Sequence, residues 1–157
     1  MRIELITDEN IAYLVQLGKE LVEAGTFGIS GPDFDWDYAM ANTREALSRD
    51  TYYIRMAYDD SDTPCGFVAG HVEQLYFNPA WQAVEDSWFV REGTPSRAKI
   101  GMALMRGLIH WALDAKGALF LQTGDIASID SNAVWTLYQH MGFTRFGSVY
   151  KYARGLI

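Results

Sequence analysis

This 157-residue chain is poor in several residue types: it has one cysteine, four prolines and three histidines. The single Cys65 excludes an internal disulfide. His71, His110 and His140 lie far apart, so no His/Cys cluster has the spacing of a zinc site and no metal is expected. Cys65 follows Pro64 at the start of an expected strand and reads as a packed thiol rather than a nucleophile. No apolar run approaches the ~20 residues of a membrane span. The opening Met-Arg-Ile-Glu-Leu-Ile-Thr-Asp-Glu-Asn has no apolar core of a signal peptide. A cytoplasmic location without membrane association is therefore the expectation. Basic residues are outnumbered, 13 against 20 acids, for a net charge of −7. An acidic field repels phosphate backbones, so no nucleic-acid partner is expected. The same field suits a cationic substrate such as an amine, or serves solubility alone. Neither G-x-x-x-x-G-K-[ST] nor G-x-G-x-x-G after a strand occurs, so P-loop and dinucleotide sites lack their motif. With no repeat, linker or low-complexity stretch, residues 1–157 are expected to form one domain.

What is present is apolar and aromatic: five Trp, nine Tyr and eight Phe, enough to exclude disorder over most of the chain. Residues 2–6 read as a strand. A helix follows, capped by Thr7 or Asp8, with Ile11, Leu14, Val15, Leu21 and Val22 on one stripe and Gly25 ending it. Gly28, Gly31 and Pro32 mark a loop. Asp33 or Asp35 caps a second helix with a thinner stripe of Trp36, Met40 and Leu47. Tyr52, Ile54, Met56 and Tyr58 alternate on one face of a strand. The run Asp59 to Pro64 is a turn. Strands from Gly66 to about Tyr76 and from about Ala83 to Val90 complete an antiparallel meander, with Asn78 and Pro79 as the break between them.

The pattern then becomes helical. A turn at 92–96 leads to a helix from about Ile100 to Lys116, with Ile100, Leu104, Leu108, Trp111 and Ala115 on its apolar face and Gly117 as its stop. Ala118 to Gln122 reads as a strand buried on both faces, reached by a right-handed parallel crossover. Asp130, Ser131 or Asn132 caps a last helix that ends at Met141 with Gly142 at its C-cap. Phe143 to Tyr152 closes the chain as one or two strands, with Gly147 at a turn or bulge. The expected fold is α/β, a mixed sheet in the order β-α-α-β-β-β-α-β-α-β.

The segment from Val84 to Ala112 carries the chemistry. A strand ends, a turn follows, and a helix begins with Gly101 in its first turns. Free amides and the helix dipole at such a start favour an anion. Gly101 lets a phosphate approach the backbone, and Arg97 and Lys99 place two cations beside it. The alternative is a tight turn with a packing glycine and two solvated bases.

This segment resembles the central motif of the GNAT acetyltransferase superfamily, [QR]-x-x-G-x-[GA] followed by x-A-L-L. K-I-G-M-A-L-M, residues 99–105, falls on the usual G-I-G-x-A-L-L. Lys99 stands where the first Gly is usual and Ser96 where Gln or Arg is usual. A second segment, N-A-V-W-T-L-Y-Q-H-M-G-F at 132–143, is similar to the family's N-x-x-A-x-x-L-Y-x-x-x-G-F. Its second half matches fully at Leu137, Tyr138, Gly142 and Phe143. Ser131 occupies the usual Asn position, Asn132 is displaced by one, and Val134 replaces Ala. The first half of the chain also looks similar to bacteriophage-encoded members.

The resemblance implies a fold with the fourth and fifth strands splayed apart. It implies acetyl-CoA as acyl donor, held by Arg97, Ala98, Lys99, Ile100, Gly101, Met102 and Asn132 and by the fourth-strand backbone at Phe89 and Val90. An amine, on a small molecule or a protein, attacks the thioester directly, and Tyr138 protonates the departing sulfur. Glu85 or Asp86 deprotonates the amine, with His71 and Glu73 in reserve. Strict strand alternation puts Glu85 with Ser87 and Phe89, and Asp86 with Trp88 and Val90. A catalytically weak CoA-binding protein, or a phage-associated interaction module using the aromatics of 26–36 and 76–82, is the alternative on the same fold. A homodimer is compatible with all three.

Overall fold

The computed structural model describes residues 1–24, 33–124 and 131–146. Five strands form one sheet in the order β1-β2-β3-β4-β5: β1 Arg2–Leu5, β2 Tyr52–Tyr58, β3 Pro64–Leu75, β4 Asn78–Val90 and β5 Leu121–Gln122. The first four are antiparallel neighbours, and β5 joins β4 in parallel. The helices are α1 Ile11–Glu23, α2 Trp36–Leu47, α3 Arg97–His110 and α4 Ser131–His140. The element order through α4 matches the sequence pattern. Residues 143–146 are not in a strand. The expected strand beyond them, with Gly147, lies outside the described residues, as do Gly25, the 28–32 loop and Asp130.

The sheet separates two apolar layers. On one face α1 buries Ile11, Leu14 and Leu17 against Ile54, Met56, Phe67 and Phe89. Met40 and Leu47 of α2 pack at the margin of that layer, and α2 buries no residue fully, as its thin stripe implies. On the other face Ile100, Leu104, Met105 and Leu108 of α3 and Tyr138 of α4 pack on Val68 and Val90.

Several boundaries differ from the sequence reading, each for a local reason. Asn10, not Thr7 or Asp8, precedes α1, and its Oδ1 accepts the Thr7 amide at 2.7 Å. Asp35 caps α2, accepting the Tyr38 amide at 2.9 Å. β4 begins at Asn78, and the chain turns at Tyr76–Phe77 instead. Pro79 is tolerated because it sits in an irregularity between the pairs Gln74–Trp81 and Leu75–Asn78, where no regular ladder bond is lost. α3 begins three residues before Ile100 and passes at Trp111–Ala115 into a π-helical segment, closed by the Lys116 amide on the Trp111 carbonyl at 2.9 Å. The wider turn rotates Ala112 into the core and leaves Ala115 exposed, reversing the expectation from a constant helical period. β5 is shorter than expected, and Leu119 and Phe120 are exposed rather than buried on both faces.

Candidate active site

Among the described residues β4 and β5 pair only at Ala83–Leu121 and Val84–Gln122. Glu85 to Val90 have no β5 partner among the described residues, and the two strands part after the last pair. Polar groups at the C-terminal ends of parallel strands face such a crevice, and here they are Glu85 and Thr123.

The register between β3 and β4 slips at this point. Ala69 pairs with Ser87 and Gly70 with Glu85, leaving Asp86 as the extra residue of a β-bulge. A bulge inverts the alternation on one side of it. Glu85 therefore lies on the α3/α4 face with Trp88 and Val90, and Asp86 lies with Ser87 on the α1/α2 face. This corrects the strict-alternation assignment, which pairs them the other way round.

On the α3/α4 face, Thr123 Oγ1 is 2.6 Å from Glu85 Oε2 and 2.7 Å from the Tyr138 hydroxyl. That hydroxyl also lies 3.4 Å from the Gly124 carbonyl. Burial pushes the Glu85 carboxyl up to about 7, and the neighbouring Asp86 charge adds to the rise. The Thr123 hydroxyl and the Gly124 amide, both donating to the carboxylate, oppose it. Tyr138 is buried, with its ring against Trp88 at 5.4 Å and Phe143 at 5.1 Å between centroids.

Asp86 belongs to another cluster. His71 Nδ1 lies 2.9 Å from Asp86 Oδ2, His71 Nε2 lies 3.8 Å from Glu73 Oε2, and Tyr52 stacks on the imidazole at 5.3 Å. An open cleft of about 570 Å³ between α2 and the sheet reaches this cluster past Asn42, Thr43, Tyr52 and Ser87. The sheet thus places Glu85 and Asp86, adjacent in sequence, on opposite sides of itself.

The turn into α3 is shaped by two left-handed residues, Gly93 at φ 77° and Ser96 at φ 58°. The Arg97 amide donates to Thr94 and the Ile100 amide to Ser96. The amides of Ala98 and Lys99 have no partner among the described residues, and both residues are exposed. They are the groups of this turn free to hold an anion. Ile100 is in the core with its amide already engaged. Arg97 Nε donates to the Val90 carbonyl at 2.9 Å, taking one of its two acceptor positions. The Phe89 and Val90 side chains are both buried. Gly101 faces inward: a Cβ there would stand 3.0 Å from Trp88 Cζ2, and the Trp88 Nε1–H donates to the Gly101 carbonyl at 3.1 Å. Met102 is half-buried beside it. Asn132 is exposed in the first turn of α4, its carbonyl accepting the Thr136 hydroxyl at 2.8 Å.

Thr123 and Trp88 are absent from the sequence-derived site. Thr123 had a legible signal, a hydroxyl directly after a parallel strand. Trp88 had none beyond its place on β4. Among the described residues no group of three or more His, Cys, Asp or Glu is placed to hold a metal, and no helix is long and apolar enough to cross a membrane.

No protein-family model matches the sequence, and no curated protein matches it. Solved structures do match. An aminoglycoside 6′-N-acetyltransferase, AAC(6′)-Ih from Acinetobacter baumannii, superposes with a TM-score of 0.70 at 16% identity, over 99% of this chain and 98% of the other. AAC(6′)-Iy, in complex with the bisubstrate analogue CoA-S-monomethyl-acetylneamine, superposes at 0.72 with 19% identity, over 98% and 97%. A ribosomal-protein-alanine N-acetyltransferase from Brucella melitensis superposes at 0.69 with 16% identity, over 98% and 100%. The chain has the GNAT fold.

Proposed function

We propose that this GNAT-fold protein is an acyl-CoA-dependent N-acyltransferase that moves an acetyl group from acetyl-CoA to an amine by direct attack. The observation that carries the reading is the hydrogen-bonded line Glu85–Thr123–Tyr138 at the point where β4 and β5 part. It puts a carboxyl near neutrality and a phenol on one crevice. Direct acyl transfer needs both a base for the amine and an acid for the thiolate.

The residues present fit the donor. The free amides of Ala98 and Lys99 and the Lys99 ammonium suit its phosphates, and Arg97, anchored through Nε, keeps its terminal amino groups beside them. Ile100, Gly101 and Met102 shape the turn that presents those amides, and Asn132 lies at the start of the facing helix. Phe89 pairs with Phe67 of β3 and its carbonyl faces Gly66, so its backbone is turned from the crevice. Bound in the crevice, acetyl-CoA supplies the activated thioester. Glu85 takes the amine proton and Tyr138 gives a proton to the departing sulfur. Asp86, on the opposite face with His71, is in a position to attract a cationic acceptor rather than to act as base. Fold matches that act on aminoglycosides and on a protein alanine mark the range of amines to try.

A weakly catalytic CoA-binding protein is the second reading. The Arg97 bond to the Val90 carbonyl favours it, because it competes for a β4 backbone acceptor at the crevice.

The test is thiol release from acetyl-CoA across a panel of aminoglycosides, polyamines and N-terminal peptides, joined by calorimetric binding. Donor at 100 times its dissociation constant should stabilise the fold by about 2.7 kcal/mol. Tyr138→Phe should keep that binding and lose about 10²-fold or more in turnover. Binding without turnover in the wild type favours the second reading, and no binding sinks both.

A further inference from the structure

A threonine hydroxyl has one proton to donate and lone pairs to accept with. Thr123 Oγ1 lies within hydrogen-bond distance of both Glu85 Oε2, at 2.6 Å, and the Tyr138 hydroxyl, at 2.7 Å. With a single proton on Oγ1, the two bonds must run in the same sense. When Glu85 is ionised, Tyr138 donates to Thr123 and Thr123 donates to Glu85, so the phenolic proton points away from any group in the crevice. When Glu85 is protonated, it donates to Thr123, Thr123 donates to Tyr138, and the phenolic proton is released to point elsewhere.

We propose that Thr123 joins Glu85 and Tyr138 into one proton path, so that the proton taken from the attacking amine is returned along it to the departing thiolate. The proposal rests on the acetyltransferase reading above. As the amine nitrogen bonds to the acetyl carbon, its N–H breaks and an O–H forms on Glu85. The new Glu85 hydroxyl then donates to Thr123, and the Thr123 and Tyr138 hydroxyls reverse direction. When the carbon–sulfur bond breaks, Tyr138 gives its proton to sulfur, Thr123 gives its proton to Tyr138, and Glu85 gives its proton to Thr123. No net proton is gained or lost by the protein. The transferred protons also lie where the ionised arrangement needs them, with Thr123 donating to Glu85 and Tyr138 donating to Thr123. The path therefore resets itself without a water.

The surroundings of Glu85 support an ionisation set by this line. On its own strand the charged neighbour is Asp86. β3 presents Gly70 opposite it, with His71 turned to the other face beside Asp86. β5 presents Thr123, α4 presents Tyr138, and α3 contributes the apolar Leu104 and Leu108 to this layer. The Gly124 backbone also touches both, its amide donating to the carboxylate and its carbonyl accepting the phenol at 3.4 Å, but its amide and carbonyl are separate groups; Thr123 is the side chain that joins Glu85 and Tyr138 through one hydroxyl. That makes it a positioning residue rather than a catalytic one, since it acts through its two partners.

The experiment compares the full-length wild type with T123V and T123S, carrying ¹³C at the tyrosine Cζ and the glutamate carboxyl. In the wild type and T123S the Tyr138 resonance should shift with the same midpoint as the Glu85 carboxyl. In T123V Glu85 should titrate at higher pH, because a bond that favoured its ionised form is gone, and the Tyr138 response should collapse. A Tyr138 response absent from the wild type, or of equal size in T123V, overturns the path. With an acceptor in hand, T123V should lose about 10²-fold in kcat with an unchanged KM for acetyl-CoA, and T123S should recover most of it. Equal kcat in T123V and the wild type also overturns it. Coupled resonances without any wild-type turnover sink the transferase reading, and with it the destination of the proton. Uncoupled resonances with turnover sink the path alone.

Discussion

The Phe143 amide donates to the Tyr138 carbonyl at 3.0 Å while the rings of the same two residues meet at 5.1 Å. Between them Gly142 takes φ 90°, and its amide donates to the Gln139 carbonyl at 3.0 Å. These are the two bonds and the apolar contact of a Schellman cap, with Tyr138 at the third position from the end of α4 and Phe143 just beyond the glycine. The cap gives a physical reason for the pattern L-Y-x-x-x-G-F. The phenol that reaches Thr123 is held by the stop signal of its own helix.

Gly142→Ala should therefore act on both stability and site. A Cβ at φ 90° is strained, and the loss should be about 1 kcal/mol in urea unfolding. Because the cap also orients Tyr138, turnover per folded molecule should fall as well. Unchanged thiol release at lower stability would show that the ring contact with Trp88 is enough to place the phenol.

Gly101→Ala should destabilise the fold, although alanine favours a helix by ~1 kcal/mol over glycine. The added methyl meets the Trp88 indole at 3.0 Å, and the strain of moving that ring, about 1–3 kcal/mol for an overpacked site, outweighs the propensity gain. Gly101→Val should lose more. A phosphate-approach argument alone expects the larger effect on acetyl-CoA binding, whereas the Trp88 contact puts it on stability. The denaturation midpoint and the calorimetric affinity of each variant separate the two.

Glu85→Gln should raise stability in alkaline solution while removing the proposed base. Glu85 is held up to about 7 when folded, against about 4.3 for a free glutamate. A carboxyl raised in this way contributes stability that is fully present below the unfolded value and lost as pH rises through about 7. The glutamine variant carries no such dependence. Its advantage over the wild type should grow by about 1–3 kcal/mol between pH 4 and pH 8 in urea titrations. A pH-independent difference would mean that Glu85 titrates normally.

Arg91 and Glu20 link the end of β4 to α1. Arg91 Nε and Nη2 meet the two Glu20 oxygens at 2.8 and 2.9 Å, and Nη1 donates to the Pro64 carbonyl at 2.9 Å. The Arg91 hydrogen bond holds the Glu20 carboxyl below its ordinary value. That stabilisation is present above about pH 4.3, the unfolded value, and is lost as pH falls through the lower folded one. Arg91→Lys keeps the charge but loses the fork. At this half-exposed site it should lose about 0.5–1 kcal/mol at neutral pH. Acid-unfolding curves of Glu20→Gln and the wild type should converge at the lowest pH, and parallel curves would show that the pair adds nothing.

Local pattern carried the element order through α4, the two apolar faces, the presence of a helix after the turn at 92–96 and the capped Tyr138. Each of these depends on residues a few positions apart, where period, cap and turn chemistry act directly. The π-helical segment escaped that reading because it breaks the period it would be read by. The assignment of Glu85 and Asp86 needed more. Alternation assigns their faces only if the ladder is regular, and the bulge at Asp86 is a property of how β4 lies against β3. Thr123 meets Glu85 across 38 positions and Tyr138 across 15, distances over which no periodicity operates. Residue identity and local spacing were enough to show which polar residues stand on β4 and on α4. Only the packed sheet decided that Glu85, and not Asp86, shares a hydroxyl with the phenol, because a one-residue slip in register turns a side chain through the sheet.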